Sequence, residues 1–236
     1  NHNCGSTHPE ALAKEVVKHE ADLGFAFDGD CDRLIAVDHT GAIIDGDHIM
    51  FIVGQYLNEN GLLKKGTVVS TVMSNLGFYH AIEENGLHSV QTKVGDRYVL
   101  EEMLKNDYNF GGEQSGHIIF LDYNPTGDGI LTSLMIVRIL LEKDVLASKL
   151  CSIINIYPQV LINAKVSTDK KYDYEKNEEI NKKIEELENE FSGNGRVLIR
   201  PSGTEPLVRV MIEGSDKNYI YTKANELATL IEEKLK

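Results

Sequence analysis

The spacing of apolar residues along the chain alternates between helical and extended patterns. Short apolar or β-branched runs, bounded by Gly, Asp and Asn, are typical of strands, whereas apolar residues three or four positions apart predict helices. The predicted strands are residues 23–27, 34–37, 67–72, 89–92, the vicinity of 110, 117–121, 157–166, 197–199 and 207–212. The predicted helices are residues 9–19, 49–57, 76–85, 98–104, 129–142, 174–191 and 224–235.

The order of these elements predicts two kinds of architecture. Strands and helices alternate over residues 40–150, which favours one α/β domain with a parallel or mixed sheet. The last third reads β-α-β-β-α in about 80 residues, a small α+β domain. Residues 1–40 would then form part of another α/β domain, so the predicted fold class is α/β with a small C-terminal α+β domain.

Composition limits the classes of function that remain. The chain has 236 residues, of which 42% are hydrophobic, enough for one or two packed domains without disulfide support. No apolar run approaches the roughly 20 residues that cross a bilayer. The net charge of −13 argues against nucleic acid and anionic membranes as partners, because both are negatively charged. Phosphorylated small molecules remain possible ligands, since they need only a local basic pocket.

The ends of the chain and its cysteines indicate the setting. Cys4, Cys31 and Cys151 are far apart, odd in number and without metal-type spacing, which favours a reducing cytoplasm. The first ten residues have neither the basic segment nor the apolar core of a signal peptide, and they lack a starting Met. We therefore expect this chain to be cut from a longer protein.

The segment Asp-Gly-Asp-Cys-Asp-Arg, residues 28–33, concentrates the most chemistry. In an extended loop, alternate side chains share a face, so Asp28, Asp30 and Asp32 are predicted to converge. Three carboxylates repel one another unless a cation lies between them, and oxygen ligands suit Mg²⁺. Gly29 is expected to let the backbone bend tightly around that ion.

The same loop sequence has three other interpretations: an EF-hand, a phosphatase with an aspartate nucleophile, and a surface turn. An EF-hand would require Gly and an acidic residue where Arg33 and His39 stand, so it is excluded. A phosphatase with an Asp28 nucleophile remains open, although such enzymes usually have Thr or Val where Asp32 lies. A surface turn rich in Asp also remains open. The apolar flanks and the adjacent arginine favour the metal site.

Two further turns carry candidate binding residues. In Gly-Gly-Glu-Gln-Ser-Gly-His, residues 111–117, the glycines would let the backbone approach a ligand. Glu113 and Ser115 alternate and offer an acceptor and a hydroxyl to a sugar, and His117 could transfer a proton. A tight hairpin without function is an equal alternative for this segment alone.

The turn Arg-Pro-Ser-Gly-Thr-Glu-Pro, residues 200–206, is predicted to bind phosphate. Arginine presents a planar fork of donors that matches phosphate oxygens, and hydroxyls with free backbone amides near a glycine can form an anion-binding nest. A plain hairpin does not require two hydroxyls beside two arginines. The predicted ligands are Arg200, Ser202, Gly203, Thr204 and Arg209.

These three motifs, in this order, resemble the α-D-phosphohexomutase family. Gln114, the Ser-Gly-Thr form of the last turn and the segments 3–10 and 94–98 are similar to the branch that acts on glucosamine phosphates. The resemblance covers the whole chain. It implies that residues 1–40 end the second of four domains, 41–152 form the sugar-binding third domain, and 153–236 form the phosphate-binding fourth.

The family resemblance also implies a reaction, in which a phosphoserine held by Mg²⁺ phosphorylates one sugar hydroxyl. The resulting hexosamine 1,6-bisphosphate turns over and returns its other phosphate to the serine. The serine motif of the family, Ser-His-Asn-Pro, does not occur here, and Thr7-His8-Pro9 is the nearest segment. The implied partners are the missing N-terminal domains, a phosphorylated hexosamine and, in a homodimer, a second copy of the full-length protein.

By the same resemblance, Arg33 would hold the transferred phosphate. Lys93 and His117 would be candidates for proton transfer, and Asp96 and Arg97 for orienting the sugar. Relatives that act on glucose or mannose phosphates use the same machinery, so the sugar stays open at this point. A phosphosugar-binding module without catalysis is a further alternative.

Overall fold

The computed structural model describes residues 2–236 and divides into two compact units. The first unit ends at Asn155 and the second is Ile156–Lys236. The helices are α1 Glu10–Lys18, α2 Gly46–Glu59, α3 Leu76–Glu84, α4 Asp96–Asn106, α5 Gly129–Lys143, α6 Ala147–Cys151, α7 Glu178–Phe191 and α8 Lys217–Leu235. The strands are β1 Leu23–Phe27, β2 Leu34–Asp38, β3 Ile43–Ile44, β4 Thr67–Thr71, β5 His88–Thr92, β6 Phe110–Gly112, β7 Ile118–Phe120, β8 Gln159–Lys165, β9 Gly195–Pro201 and β10 Leu207–Gly214.

The first unit begins with an antiparallel sheet of order β1-β2-β3. β1 and β2 pair from Leu23 opposite Asp38 to Phe27 opposite Leu34, so residues 28–33 form the loop at the tip of this hairpin. All five residues of β2 are buried, and this strand anchors one side of the loop in the core. The predicted metal loop is therefore held by two paired strands.

The second sheet of this unit has the order β5-β4-β6-β7. β4 is parallel to both β5 and β6, whereas β6 and β7 are antiparallel. This confirms the predicted mixed sheet. Phe51 of α2, Phe78 of α3 and Phe110 of β6 are fully buried in the main core, which fixes the helices against the sheet.

The second unit is the predicted β-α-β-β-α arrangement. Its antiparallel sheet has the order β8-β10-β9, so the last strand lies in the middle. Apolar residues of α7 and α8 pack on this sheet around Ile180, Leu187, Leu227 and Ile231. The turn of residues 200–206 connects β9 to β10.

Several boundaries differ from the predictions because polar caps set them. Asn177 accepts hydrogen bonds from the amides of Glu179 and Ile180, so α7 begins after it, and Tyr174 lies in a separate 3₁₀ turn. Asp216 caps α8 in the same way, so that helix begins at Lys217, seven residues before the predicted start. The two short elements β3 and α6 were not predicted.

The helices, the cysteines and the predicted domain boundaries bear on the remaining expectations about the fold. Within residues 2–236, none of the helices is both long and apolar enough to span a bilayer. The three cysteines are unpaired. The predicted domain boundaries at residues 40 and 152 stay predictions. Asn1, the first residue of the predicted domain 1–40, lies outside the described residues.

Candidate functional site

The three aspartates of the hairpin tip converge as predicted. One carboxylate oxygen from each of Asp28, Asp30 and Asp32 lies within 4.8 Å of the other two. Within the described part of the chain, this is the group of acidic, His or Cys side chains that could hold a metal ion. Its ligands are all carboxylate oxygens, the donors that Mg²⁺ prefers.

Electrostatic crowding in this cluster is visible at Asp32. Burial raises the pKa of Asp32 most, followed by a hydrogen bond with Asp28 and the charges of Asp28 and Asp30, while His117 acts in the opposite direction. Nearby like charges disfavour ionisation of a carboxyl group. A divalent cation among the three groups would remove that repulsion, so the donor set fits such an ion.

Arg33 closes the loop on its other side. Its amide donates to Asp28 Oδ1 at 3.2 Å, and its Nε lies 3.8 Å from Asp28 Oδ2 and 3.9 Å from Asp32 Oδ1. This buried Nε has no hydrogen-bond acceptor among residues 2–236. A buried guanidinium donor left without an acceptor beside a carboxylate cluster is suited to an incoming anion such as a phosphoryl group.

The loop bends over residues 29–31, and its left-handed residue is Cys31. Cys31 has φ +62°, the left-handed region, whereas Gly29 is not among the residues with positive φ. A left-handed residue reverses the chain locally, which allows the flanking Asp30 and Asp32 to approach each other. Gly29 lies in the same bend, and its expected role in letting the backbone turn around an ion stays a prediction.

The glycine-rich turn of residues 111–117 is joined directly to the metal loop through the backbone. Arg33 and His117 form an isolated antiparallel bridge, and the amide of Leu34 donates to the carbonyl of Gly116 at 3.0 Å. Two motifs about 80 residues apart in sequence thus form one surface.

The glycines of this turn serve close packing within the protein. A Cβ at Gly111 would lie 2.5 Å from the carbonyl oxygen of Val69, and one at Gly112 would lie 2.5 Å from that of His117. Gly116 has φ +91°, and a Cβ there would collide with the carbonyl of Leu34. These glycines therefore pack against neighbouring backbone, and the expectation that they let the turn approach a ligand stays a prediction.

His117 is buried and both of its ring nitrogens are engaged. The amide of Gly127 donates to Nε2 at 3.0 Å, so Nε2 is an acceptor and the ring proton is on Nδ1. Nδ1 lies 3.0 Å from Asp32 Oδ2 and donates to it. The geometry favours a positioning role for His117, which fixes the orientation of Asp32, and its predicted role in proton transfer stays a prediction.

Replacing His117 by Leu should weaken divalent-cation binding about 10- to 100-fold, because Asp32 loses the donor that orients it. His117→Asn keeps a side-chain amide donor and should recover part of the affinity. Mn²⁺ titration followed by electron paramagnetic resonance measures both, with thermal unfolding as the check on folding. Equal affinity for a folded His117→Leu protein and the unchanged chain would contradict the positioning role.

Glu113 links the glycine-rich turn to the segment that precedes α4. Its Oε1 accepts from the amide of Gly95 at 3.1 Å, and Ser115 Oγ lies 3.5 Å from its Oε2. Ser115 is exposed and Glu113 partly so. The two side chains therefore lie side by side, with hydroxyl and carboxylate groups available to a polyol.

Three predicted residues remain, Lys93, Asp96 and Arg97, in the segment that follows β5 and begins α4. Asp96 Oδ2 lies 3.9 Å from His117 Nε2, so Asp96 borders the cluster. Arg97 is exposed and its Nε donates to Glu101 at 2.7 Å, on the surface of α4. Lys93 lines a cleft with Glu101. Their predicted roles stay predictions.

Sequence reasoning missed several glycines that support the site from outside the motifs, among them Gly127 and Gly46. A Cβ at Gly127 would lie 2.6 Å from the ring of His117 and 2.7 Å from the carbonyl oxygen of Asp32. Gly46 donates its amide to the carbonyl of Gln114, and a Cβ there would collide with the carbonyl of Glu113. Nothing in the local sequence distinguishes such glycines from ordinary turn residues, since each contact is distant along the chain.

The second unit carries the turn predicted to bind phosphate. Arg200 and Arg209 are direct partners across β9 and β10, and the pKa of Arg200 is lowered, first by burial and then by the charge of Arg209. Arg209 also lies 3.8 Å from Glu205. Ser202 is buried and its Oγ accepts from the amide of Glu205 at 3.2 Å.

The turn also presents unused donors. In the part of the chain that the structure describes, no protein acceptor meets the backbone amides of Gly203 and Thr204, and both residues are exposed. Two adjacent amides without protein acceptors, in a turn flanked by two paired arginines, provide donors suited to an anion. Gly203 and Thr204 thus provide backbone donors, whereas the Ser202 hydroxyl shapes the turn.

The sequence matches two models of one family. Residues 45–157 match phosphoglucomutase/phosphomannomutase, alpha/beta/alpha domain III, and residues 161–229 match the C-terminal domain of the same family. The chain belongs to the phosphoglucomutase/phosphomannomutase family. This confirms the resemblance noted from the three motifs.

Two curated relatives with more than half of their aligned residues identical to this chain are phosphoglucosamine mutases. The phosphoglucosamine mutase of Caldanaerobacter subterraneus subsp. tengcongensis is 58% identical over 235 residues, covering 100% of this chain and 53% of that protein. The phosphoglucosamine mutase of Clostridioides difficile is 56% identical over 235 residues, covering 100% and 52%. The chain spans about half the length of the curated relatives it matches.

Solved structures show the same fold at lower identity. The N-acetylphosphoglucosamine mutase of Aspergillus fumigatus aligns with a TM-score of 0.79 at 22% identity, covering 98% of this chain and 52% of that one. A complex of that enzyme with GlcNAc-6P and magnesium aligns at 0.77, with 22% identity and coverages of 99% and 53%. These alignments agree with the mixed α/β architecture described above.

Proposed function

We propose that this chain supplies the metal-, sugar- and phosphate-binding parts of a phosphoglucosamine mutase, an isomerase that interconverts glucosamine 6-phosphate and glucosamine 1-phosphate. The observation that carries the proposal is the convergence of Asp28, Asp30 and Asp32 at a hairpin tip bonded to the turn that presents Glu113. A phosphoryl-transfer enzyme needs a cation site beside its substrate-orienting groups.

Asp28, Asp30 and Asp32 would hold the metal, and Mg²⁺ suits a set of three carboxylates. A related enzyme has been solved with GlcNAc-6P and magnesium. When bound, Mg²⁺ supplies positive charge that lowers the energy of phosphoryl transfer. Arg33, whose buried Nε lacks a hydrogen-bond acceptor among the described residues, would hold the transferred phosphoryl group.

The other motifs would bind the substrate. Glu113 and Ser115, adjacent at 3.5 Å, would accept and donate hydrogen bonds to the sugar hydroxyls. Arg200, Arg209 and the free amides of the turn between β9 and β10 would bind the phosphate that is not reacting.

The reaction requires a phosphoserine that would come from residues outside this chain. Its phosphoryl group would pass to one hydroxyl of the sugar, giving a hexosamine 1,6-bisphosphate, and the other phosphate would then return to the serine. A related mutase carrying a Ser-to-Ala substitution was solved with glucose 1,6-bisphosphate, which agrees with such an intermediate. Free cysteines agree with a cytoplasmic enzyme.

We propose that α5 packs against the part of the protein that this chain does not span. Ile130, Leu134 and Leu141 lie on an exposed apolar stripe of that helix, with Leu134 63% and Leu141 76% exposed. An unpartnered stripe of this kind is typical of a surface that another domain covers. The predicted homodimer of the full-length protein stays a prediction.

Joining this chain to the N-terminal half of the Caldanaerobacter relative should give a mutase, whereas the chain alone should show no turnover. A coupled assay with glucosamine, glucose and mannose 6-phosphates measures the activity and its sugar preference. We expect the glucosamine phosphate to be preferred.

Two results would contradict the proposal. A folded chimera that binds Mg²⁺ yet shows no turnover would overturn the mutase activity, and preference for glucose or mannose phosphate would overturn the sugar assignment. Mass spectrometry after a substrate pulse separates a phosphoserine from a phosphorylated Asp28, which the phosphatase alternative requires. The Asp30→Asn chimera is the inactive control.

A further inference from the structure

Lys171 contacts the back of the turn that joins β9 to β10, although it lies about 30 residues earlier in the chain. Its Nζ donates to the carbonyl of Ser202 at 2.8 Å and lies 3.4 Å from the carbonyl of Gly203. Lys171 is half-buried, and its ammonium group also lies 5.5 Å from the centre of the Tyr172 ring. Two consecutive carbonyls of the turn therefore face one cation.

The planarity of the peptide bond converts this contact into an orientation of the opposite groups. In a trans peptide, the carbonyl of one residue and the amide of the next point in opposite directions. With the carbonyls of Ser202 and Gly203 directed at Lys171, the amides of Gly203 and Thr204 are directed away from it. These are the two amides that lack protein acceptors within residues 2–236.

We infer that Lys171 is a positioning residue for anion binding: it holds two peptide planes so that the Gly203 and Thr204 amides face a phosphate group. This inference rests on the proposed phosphate-binding role of the turn. Fixing the amides before the ligand arrives lowers the entropy lost on binding, because a turn with two exposed residues otherwise samples several peptide orientations.

The neighbouring lysine provides a matched control. Lys170 is also half-buried and carries the same charge, but its Nζ donates to the carbonyl of Lys236 at 2.6 Å and makes no contact with the turn. Removing either charge changes the net charge of the chain equally. A difference between the two variants therefore reports the contact with Ser202 and Gly203 rather than long-range attraction.

The test is titration of the full chain with inorganic phosphate, followed at the Gly203 and Thr204 amides by NMR. Lys171→Met should weaken binding about tenfold and shift both amide resonances in the free protein, as expected for losing a charge-assisted hydrogen bond. Lys170→Met should change the affinity less than about twofold and leave these resonances in place. Lys171→Arg should retain most of the affinity.

The salt dependence of binding separates a local effect of the Lys171 contact from long-range attraction between charges. The difference between the two Met variants should persist in about 0.5 M sodium chloride, where exposed charges are screened within a few ångströms. Equal weakening in both variants, or binding by Lys171→Met as tight as in the unchanged chain, would overturn the positioning role alone. No phosphate-dependent shift at the turn of the unchanged chain would overturn the phosphate site as well.

Discussion

Replacing Asp30 by Asn should weaken Mn²⁺ or Mg²⁺ binding to this chain at least about 100-fold, since one of three charged ligands is lost. In the chimera with the N-terminal half, the same change should lower turnover about a thousandfold. Asp30 is exposed and makes no hydrogen bond or ion pair within the described residues, so its substitution leaves the fold intact. Isothermal titration calorimetry measures the affinity directly.

The control for this prediction is Asp22→Asn. Asp22 is an exposed carboxylate just before β1, at the opposite end of that strand from the metal loop. It changes the net charge of the chain by the same amount but should leave cation affinity within about twofold. If Asp30→Asn and the unchanged chain bound the cation equally well, the metal site would be refuted.

The largest loss of stability is expected for Gly116→Ala, roughly 3–5 kcal/mol in the first unit. A methyl group at φ +91° is strained, and it would collide with the carbonyl of Leu34 on the fully buried strand β2. Relief would require separating the two motifs and breaking the hydrogen bond from the Leu34 amide to Gly116. Urea unfolding followed by circular dichroism measures the change.

Gly61→Ala is the matched variant for backbone strain. Gly61 also has positive φ, +68°, but a Cβ there meets no atom within 4 Å. Its substitution should cost about 1 kcal/mol, the strain alone. The difference between the two variants then measures the packing of the turn against β2, and equal losses would show that this contact contributes nothing.

The sequence predicts most elements because apolar spacing and burial coincide in this protein. Residues 23–27, an apolar run with polar residues on both sides, form a strand with the predicted bounds. The predicted start of α8 was too late: the buried Ile220 continues the helical spacing of Ala224 and Leu227, and the Asp216 cap sets the boundary. The strand Ile43–Ile44 was missed because two residues are too few to show the alternating pattern of a strand.

The candidate site was predictable where the chemistry is local in sequence. The alternate spacing of Asp28, Asp30 and Asp32 predicted their convergence, although the structure achieves it with a left-handed residue, Cys31, rather than an extended loop. The contacts of His117 with Asp32 and of Lys171 with the phosphate turn join residues 85 and 31 positions apart. No spacing rule links such pairs, because only the folded chain brings them together.

The backbone bridge between Arg33 and His117 makes the hairpin tip and the glycine-rich turn mechanically continuous. An ion that stiffens one of them also stiffens the other, so cation and sugar should each tighten the other's binding by the same factor, as thermodynamic reciprocity requires. Depleting magnesium would then mimic a loss of sugar affinity, even though no sugar-contacting side chain had changed.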